Sequence, residues 1–251
     1  MRQLAFTEFE VPALTEEAIA FIRNHEPPEG YFVGFSGGKD SIVTLRLVKM
    51  AEVKFHAFHS ITSIDPPEVV RFIRKSYPEV QILKPKMSVY EGIIKKKPPL
   101  RMQRWCCDIL KKFASQDHPL KHRIMGIRAE ESSRRASRPR LDNYKGKWAI
   151  YKPIFHWPEW AVWEFIHTHK LHYPSLYDEG FHRLGCVVCP FIMGKSPGAV
   201  RQREQSMKRW PGIWRAYKNA CHVWFKNKRQ NREGYTETFD EYWQAYLNGF
   251  E

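Results

Sequence analysis

One short stretch of the chain combines small, basic and hydroxylated residues in an order that suits phosphate binding. An apolar run at 31–35 leads into the stretch, and apolar residues recur after it at mixed helical spacing. The stretch itself, called here the 36–41 motif, is Ser36, Gly37, Gly38, Lys39, Asp40 and Ser41. Adjacent glycines let a backbone turn sharply and approach a ligand, and N–H groups at a helix N-terminus attract anions. A strand followed by a tight turn and a helix start, with a lysine that adds positive charge, therefore predicts a phosphate cradle.

The 36–41 motif is not a Walker A loop, in which serine or threonine directly follows the lysine. Here Asp40 follows Lys39. Ser-Gly-Gly-Lys-Asp-Ser instead resembles the PP-loop of the ATP pyrophosphatase superfamily. This resemblance implies an enzyme that cleaves ATP between its α and β phosphates, or that binds a related adenylyl sulfonucleotide. The alternative is an ordinary Gly-Gly turn carrying a solvated lysine and aspartate.

The chain has five cysteines, at positions 106, 107, 186, 189 and 221. An odd number with one adjacent pair makes a poor disulfide framework, so metal or redox chemistry is favoured. Four thiolates suit tetrahedral zinc or an iron–sulfur cluster. The candidate metal ligands are Cys106, Cys107, Cys186 and Cys189. Buried thiols without a metal are a third alternative, and Cys221 is interpreted as a small core residue.

Two further polar residues follow predicted strands, at the sheet edge where open α/β folds bind ligands. Asp65 would contact a ribose or Mg²⁺, or else cap the helix that begins near Pro66. Arg128 suits a bidentate contact with phosphate. We predict that the 36–41 motif, Asp65 and Arg128 bind the nucleotide, and that Lys39, Asp40 and Arg128 are catalytic.

Several separated motifs resemble the phosphoadenylyl-sulfate reductase family and stand in that family's order. They are Gly-Ile-Arg-Ala-Glu-Glu-Ser-Ser-Arg-Arg at 126–135, Trp-Pro-Glu-Trp at 157–160, Tyr-Pro-Ser-Leu-Tyr at 173–177 and Arg-Leu-Gly-Cys at 183–186. In the adenylyl-sulfate reductase branch, an adjacent cysteine pair and a Cys-x-x-Cys bind a 4Fe–4S cluster. The resemblance implies such a cluster on the four candidate cysteines, with nearby basic residues stabilising its negative charge.

One family feature is not found in this sequence. Sulfonucleotide reductases carry a nucleophilic cysteine in a Glu-Cys-Gly-x-His segment, and no cysteine follows Cys221 here. The resemblance then favours the ATP pyrophosphatases of DNA phosphorothioation systems. It implies an ATP- and Mg²⁺-dependent enzyme that adenylates an acceptor for sulfur insertion, with a cysteine desulfurase as sulfur donor. The alternatives are a reductase of adenylyl sulfate or its 3′-phosphorylated form, and a nucleotide-regulated nucleic-acid-binding module.

Basic residues are concentrated in two blocks of the chain, whose formal net charge is +14. Between Lys95 and Arg140 there are fourteen Lys/Arg against four Asp/Glu, and between Arg201 and Arg232 the single acidic residue is Glu204. Clustered positive charge predicts a nucleic-acid partner, with DNA favoured over RNA. A solvated basic surface is the alternative.

Alternating strands and helices predict a doubly wound, mostly parallel α/β sheet of the adenine nucleotide alpha hydrolase-like type. The predicted strands are 31–35, 53–59, 80–83, 123–127 and, at the sheet edge, 150–154. We expect a nucleotide-binding core at 1–155, and a helical C-terminal part with a cysteine loop at 156–251. The sequence has neither a run of about 18 apolar residues nor a signal-peptide layout. A cytoplasmic protein without membrane contact is therefore expected.

Overall fold

The sheet is the centre of the fold. The computed structural model describes residues 2–112, 115–230 and 236–250, without the side chains of 2–9, 229 and 230. Its strands are β1 Tyr31–Gly34, β2 Phe55–Ser60, β3 Gln81–Leu83, β4 His122–Met125, β5 Leu141–Tyr144 and β6 Trp148–Tyr151. They form one sheet in the order β3-β2-β1-β4-β6-β5. The pairings of β1 with β2, of β1 with β4 and of β4 with β6 are parallel, and that of β5 with β6 is antiparallel, so the predicted mostly parallel sheet is confirmed.

Helices connect the strands and dominate the chain after β6. Within the described residues they are α1 Arg2–Asn24, α2 Lys39–Met50, α3 Pro67–Ser76, α4 Val89–Lys95, α5 Ser133–Ala136, α6 Glu159–Thr168, α7 Pro197–Arg209, α8 Pro211–Phe225 and α9 Phe239–Leu247. None of the described helices is long and apolar enough to cross a membrane. The basic residue Arg232, at the end of the second basic block, lies outside the described residues.

β1 is central because its sequence is apolar without alternation. Tyr31, Phe32 and Val33 are all buried. Continuous apolar runs are typical of parallel strands that are covered on both faces. Val33 stands in register with a residue on each side, Ala57 of β2 and Ile124 of β4. The 36–41 motif therefore follows a buried strand that is paired on both sides.

The edge strand was predicted at the wrong place. The strand predicted at 150–154 is β6, which has neighbours on both sides, and the edge is β5. β5 was missed because Leu-Asp-Asn-Tyr lacks the apolar pattern by which strands are recognised. It joins the sheet through a tight hairpin in which Lys145 and Gly146 both have positive φ, 53° and 68°. Such turns match the twist of antiparallel strands.

The chain folds into two compact units that interleave along the sequence. One unit comprises Met1–His59, Glu68–Ile82 and His118–Leu184, and it contains the 36–41 motif and Arg128. The other comprises Ser60–Pro67, Leu83–Asp117 and Gly185–Glu251, and it contains Asp65 and the four candidate cysteines. The expected division near residue 155 stays a prediction.

Candidate active site

The 36–41 motif and Arg128 lie at the switch point of the sheet. The motif follows β1, and Arg128 follows β4, the strand beside β1. From β1 the chain continues to β2 and β3 on one side and then returns to β4 on the other. Open α/β sheets bind ligands at this reversal, beyond the carboxyl ends of the strands. The predicted residues Lys39, Asp40 and Arg128 are thus brought together.

The turn of the motif depends on its glycines. Gly37 has φ +76°, a left-handed conformation that favours glycine, and a Cβ there would lie 2.9 Å from Val69 Cγ1. α2 begins at Lys39, and its N-cap residue Gly38 offers no side-chain cap. Within the described chain, the amides of Gly37 and Asp40 have no hydrogen-bond acceptor. The helix start therefore presents free donors to an anion.

The two serines of the motif close the loop from within. The Ser41 hydroxyl donates to Gly38 O over 2.8 Å. Its oxygen also lies 3.2 Å from both Ser36 N and Ser36 Oγ. These bonds fix the loop's shape, and a direct contact of either serine with a nucleotide stays a prediction.

Lys39 and Arg128 are two cations buried in the same place, with exposed fractions of 5% and 3%. Buried charges require partners. Lys39 Nζ lies 3.5 Å from Asp40 Oδ2 and 3.3 Å from Glu159 Oε1. The Arg128 guanidinium donates to the carboxylates of Asp40 and Glu130. Burial by itself would lower the pKa of Arg128, but the carboxylates of Asp40 and Glu130 together outweigh burial and raise it. Arg128 is therefore a permanent positive charge.

A second layer of ion pairs surrounds these residues. Glu131 accepts the Arg128 amide over 3.1 Å, pairs with Arg135, and lies 3.8 Å from Arg183. The network as a whole contains four carboxylates and four cations. The carboxylates are those of Asp40, Glu130, Glu131 and Glu159, and the cations are those of Lys39, Arg128, Arg135 and Arg183. The site is formally neutral.

Two residues of this site, Glu159 and Tyr177, stand in motifs that carry the family resemblance but were not predicted as site residues. Glu159 opens α6 and pairs with Lys39, and the Tyr177 hydroxyl accepts the Lys39 amide over 3.0 Å. Both stand more than a hundred residues after the motif. The requirement that a buried lysine have a carboxylate partner predicts that such a residue exists, but it does not say which one.

Gly126 lets the end of β4 approach the first turn of α2. A Cβ at Gly126 would lie 2.7 Å from Asp40 O and 2.9 Å from Thr44 Oγ1, closer than packed atoms tolerate. We expect Gly126→Ala to destabilise the fold by about 1–3 kcal/mol, as overpacking does, and to weaken ATP binding. Urea unfolding and calorimetric titration with ATP measure the two effects.

The matched control for Gly126→Ala is Gly212→Ala. Gly212 lies in the first turn of α8, and no atom lies within 4 Å of the position its Cβ would take. The stability of the Gly212→Ala variant should be unchanged or higher than that of the wild type, because alanine has a higher helix propensity than glycine. Gly126→Ala with wild-type stability would contradict the close approach of β4 to α2.

The four candidate cysteines lie together in the other compact unit, where each of the pairs 106–107 and 186–189 affects the other's ionisation. A hydrogen bond from Cys106 is the main reason that the pKa of Cys107 falls to about 6, and Lys111 and Arg104 act in the same direction. That hydrogen bond and burial raise the pKa of Cys106 well above its usual value. Metals bind thiolates, so the surrounding positive charge favours ligation.

The spacing of the four thiols bears on the group they would hold. Within the described residues, no three His, Cys, Asp or Glu side chains are close enough to hold a single metal ion. Tetrahedral zinc, with Zn–S bonds of about 2.3 Å, needs its sulfurs about 3.8 Å apart. In a 4Fe–4S cluster each thiolate binds a different corner iron, so the ligands stand farther apart. The assignment of a 4Fe–4S cluster to these four cysteines stays a prediction.

A short segment after β2 contacts the loop that carries Cys186 and Cys189, called here the cysteine loop. The Val187 amide donates to Ile64 O over 2.8 Å, and Thr62 Oγ1 lies 3.5 Å from Cys186 Sγ. The Asp65 carboxylate accepts the Thr62 amide and so shapes this segment. Asp65 thus has a structural contact beside Cys186, and its predicted contact with ribose or Mg²⁺ stays a prediction.

Arg203 of α7 fixes the far end of the same loop. Its buried Nη1 lies 3.0–3.1 Å from three carbonyl oxygens, those of Ile192, Gly194 and Leu247. The Gly194 amide also donates to Leu247 O over 2.8 Å. One guanidinium therefore joins α7, the loop after Cys189 and the end of α9.

A glycine turn followed by a helix start, at the switch point of a mostly parallel sheet, is typical of nucleotide-binding α/β proteins. The family model described as "Phosphoadenosine phosphosulfate reductase domain" matches residues 30–191, well over half of the sequence. The chain belongs to this family, and the resemblance stated from its motifs is confirmed.

Curated relatives agree with the family. An uncharacterised protein of Methanocaldococcus jannaschii is 31% identical over 229 residues, which are 83% of this chain and 47% of that protein. The adenosine 5′-phosphosulfate reductase of Shouchella clausii is 26% identical over 164 residues, covering 61% of this chain and 68% of that enzyme. The chain spans less than half the length of the M. jannaschii relative.

Solved structures show the same fold at low sequence identity. Phosphoadenylyl-sulfate reductase of Candida auris matches with a TM-score of 0.53 at 18% identity, over 70% of this chain and 93% of that one. FMN adenylyltransferase of Candida glabrata, in complex with FMN and an ATP analogue, matches with a TM-score of 0.52 at 15% identity, over 71% and 64%. The expected adenine nucleotide alpha hydrolase-like fold is confirmed.

Proposed function

We propose that the chain is a PP-loop ATP pyrophosphatase that activates an acceptor by adenylation for sulfur insertion. The observation that supports this proposal most is that the free amides at the start of α2 lie at the switch point together with the buried Lys39 and Arg128. The 36–41 motif would hold the β- and γ-phosphates of ATP. Arg128, at the end of the neighbouring strand, would face the α-phosphate.

The reaction would have two displacements. An oxygen of the acceptor attacks the α-phosphorus, the bond to the bridging oxygen breaks, and pyrophosphate leaves with that electron pair while the acceptor loses its proton to solvent. Sulfide, released when a thiol reductant cleaves the donor's persulfide, then attacks the activated carbon or phosphorus, and AMP leaves with the electron pair of the bond that breaks. Lys39, Arg128 and the free amides would act by stabilising negative charge that develops on the phosphates.

Charge balance argues for Mg²⁺ with the nucleotide. The site's ionic side chains already balance, so ATP would bring several uncompensated negative charges. Mg²⁺ binds carboxylates and phosphates together. Asp40, which contacts both buried cations, is the carboxylate of the 36–41 motif that would support the ion.

The four candidate cysteines would hold a 4Fe–4S cluster, which supplies a sulfur-binding or electron-transferring site when bound. Neighbouring residues favour metal ligation by these cysteines. Lys111 and Arg104 favour the thiolate of Cys107, and Thr62 contacts the Cys186 sulfur. A cysteine desulfurase is the proposed sulfur donor.

The proposed acceptor is a nucleic acid, with DNA favoured over RNA. A basic aromatic surface adjoins the cysteine loop: the Arg104 guanidinium lies 4.4 Å from the Phe191 ring centroid, and Arg101 lies 5.9 Å from it. Phe191 is 45% exposed and Met102 is 89% exposed. Exposed rings among cations are typical of nucleic-acid contacts. The second basic block adds exposed Lys226 and Lys228.

Binding to duplex DNA should weaken steeply with salt. If about five side chains meet phosphates, log affinity should fall against log salt with a slope of roughly −4 to −5. Reversing Lys226 and Lys228 to glutamate should flatten that slope and weaken binding for every sequence, since phosphate contacts carry no base information. Fluorescence anisotropy with labelled DNA over a salt series measures the slope.

The control reverses two lysines of the β5–β6 turn, Lys145 and Lys147, which are exposed and lie outside both basic blocks. It changes the net charge equally and should leave the slope near that of the wild type. No detectable binding of DNA or RNA at low salt would contradict the nucleic-acid acceptor.

A second candidate is favoured by the relatives named as adenosine 5′-phosphosulfate reductases. In that case the same phosphate site would hold a sulfonucleotide. One experiment separates the candidates. Acceptor-dependent release of pyrophosphate from ATP supports adenylation, whereas release of sulfite from adenylyl sulfate with thioredoxin present supports reduction.

A further inference from the structure

The start of α2 is capped by a side chain from far away in the chain. The Lys39 amide donates to Tyr177 Oη over 3.0 Å, across 138 positions of sequence. Helix starts are ordinarily capped by the residue just before the first turn, most often Ser, Thr, Asp or Asn. Here that residue is Gly38, which has no side chain to offer. The capping hydroxyl therefore comes from a segment outside the loop.

The Tyr177 hydroxyl lies directly at the glycine turn. A Cβ on Gly38 would lie 3.2 Å from that hydroxyl, so Tyr177 lies directly against the glycine turn. A bound phosphate takes its hydrogen bonds from the amides at a helix start. The neighbouring amides of Gly37 and Asp40 have no acceptor in the described part of the chain. Of the four consecutive amides at 37–40, Tyr177 thus accepts that of Lys39, Ser36 Oγ accepts that of Gly38, and the other two are open.

Aromatic packing fixes the position of Tyr177. It ends the 3₁₀ turn Ser175–Tyr177, and its ring meets Trp163 edge-on at 5.1 Å between centroids. Trp163 belongs to α6, and the first residue of α6, Glu159, pairs with Lys39. One helix thus supports both the tyrosine and the counter-charge of the lysine.

The hydroxyl keeps a hydrogen to donate. Burial raises the pKa of Tyr177 well above its usual value, and the carboxylates of Asp40 and Glu159 act in the same direction. In its contact with Lys39 the oxygen is the acceptor. Among the described residues, none accepts the hydrogen of Tyr177 itself. A neutral hydroxyl with an unused hydrogen beside an anion cradle is suited to donate to a phosphate oxygen.

On the basis of the proposed ATP site, we propose that Tyr177 is a phosphate-binding residue. In the free protein its hydroxyl accepts the hydrogen bond that the polyphosphate chain would accept when bound. Its hydroxyl accepts the Lys39 amide until a phosphate oxygen takes that amide, and it then donates its own hydrogen to the same phosphate. The exchange replaces a neutral hydrogen bond by a stronger one to a charged acceptor. Tyr177 would therefore recognise pyrophosphate and ATP, which reach the 36–41 motif, but not AMP.

The test is Tyr177→Phe, which removes the hydroxyl and keeps the ring against Trp163. A hydrogen bond to a charged group contributes more than a neutral one, and losing the cap in the free protein offsets part of the difference. We expect the Kd for pyrophosphate and for ATP with Mg²⁺ to rise about tenfold, a change of about 1.4 kcal/mol. The Kd for AMP should stay at the wild-type value, as should the near-ultraviolet circular dichroism.

Tyr173→Phe is the matched control. Tyr173 belongs to the same aromatic cluster, 5.3 Å from Trp163, but its hydroxyl donates to Asp178 over 3.1 Å, away from the motif. This variant should bind pyrophosphate, ATP and AMP like the wild type.

Three outcomes would overturn the role of Tyr177. Unchanged pyrophosphate binding by Tyr177→Phe would show that the hydroxyl does not contact phosphate. An equal loss for AMP would show a general displacement of the site. If wild-type protein bound neither ATP nor pyrophosphate, the proposed ATP site itself would fail, and the role of Tyr177 would fail with it.

Discussion

Lys39→Ala is expected to slow pyrophosphate release from ATP by a factor of about a hundred to a thousand, the usual loss when one preorganised charge stabiliser is removed. The Lys39 ammonium is held in place by Asp40 and Glu159 and is almost fully buried. Its position is therefore set before the phosphates arrive. Without it, both carboxylates would face the phosphates with one cation fewer, and the barrier to charge build-up would rise.

The control for this variant lies on the same helix. Lys49 is in the last turn of α2, where its ammonium pairs with Glu79 at the surface. Lys49→Ala should keep wild-type activity and lose little stability, because exposed ion pairs contribute at most about 1 kcal/mol. A coupled phosphate assay on both variants, with unfolding curves for each, measures the difference. Wild-type activity in Lys39→Ala would contradict the assignment of the phosphate site to the 36–41 motif.

Cys107→Ser and Cys186→Ser should each abolish the metal centre. Protein purified without oxygen is expected to be brown, with about four iron atoms per chain, and each variant should be nearly colourless. A serine oxygen is a poor substitute for thiolate, the soft ligand that iron–sulfur clusters require. Visible spectra with iron, zinc and sulfide analysis provide the measurement.

Cys221→Ala is the control for the cysteine variants. Cys221 is a fully buried residue of α8, and burial raises its pKa well above the usual value, so it remains a neutral thiol. This variant should retain iron and colour. Stoichiometric zinc without iron in the wild type would contradict the cluster while leaving a four-cysteine site in place.

Much of the fold could be predicted because its signals are local. The apolar run at β1, the Gly-Gly turn and the apolar stripe of α6 each lie within about a dozen residues. β5 could not be predicted, because Asp142 and Asn143 break its apolar pattern and its position depends on pairing with β6. The π-helical turn Cys107–Lys112 could not be predicted either, because no residue pattern indicated its wider winding.

The candidate site was predictable only where its residues follow strands. Lys39 and Arg128 could be placed together because the carboxyl ends of parallel strands share one edge of the sheet. Glu159 and Tyr177 belong to a helix and a turn whose approach to α2 is decided by tertiary packing. The contact between Thr62 and Cys186 likewise joins segments more than a hundred residues apart. Such contacts depend on shape, which a single sequence does not specify.

The three-carbonyl contact of Arg203 has a consequence for how the cysteine loop opens. Because Gly194 and Leu247 share this guanidinium and a backbone hydrogen bond, the loop after Cys189 cannot separate from the end of α9 without breaking both. The two segments should therefore exchange amide hydrogens with deuterium as one cooperative unit. Fraying of α9 would then expose the thiols to oxidants, so the resistance of the cysteine loop to oxidation depends on a helix that carries none of the cysteines.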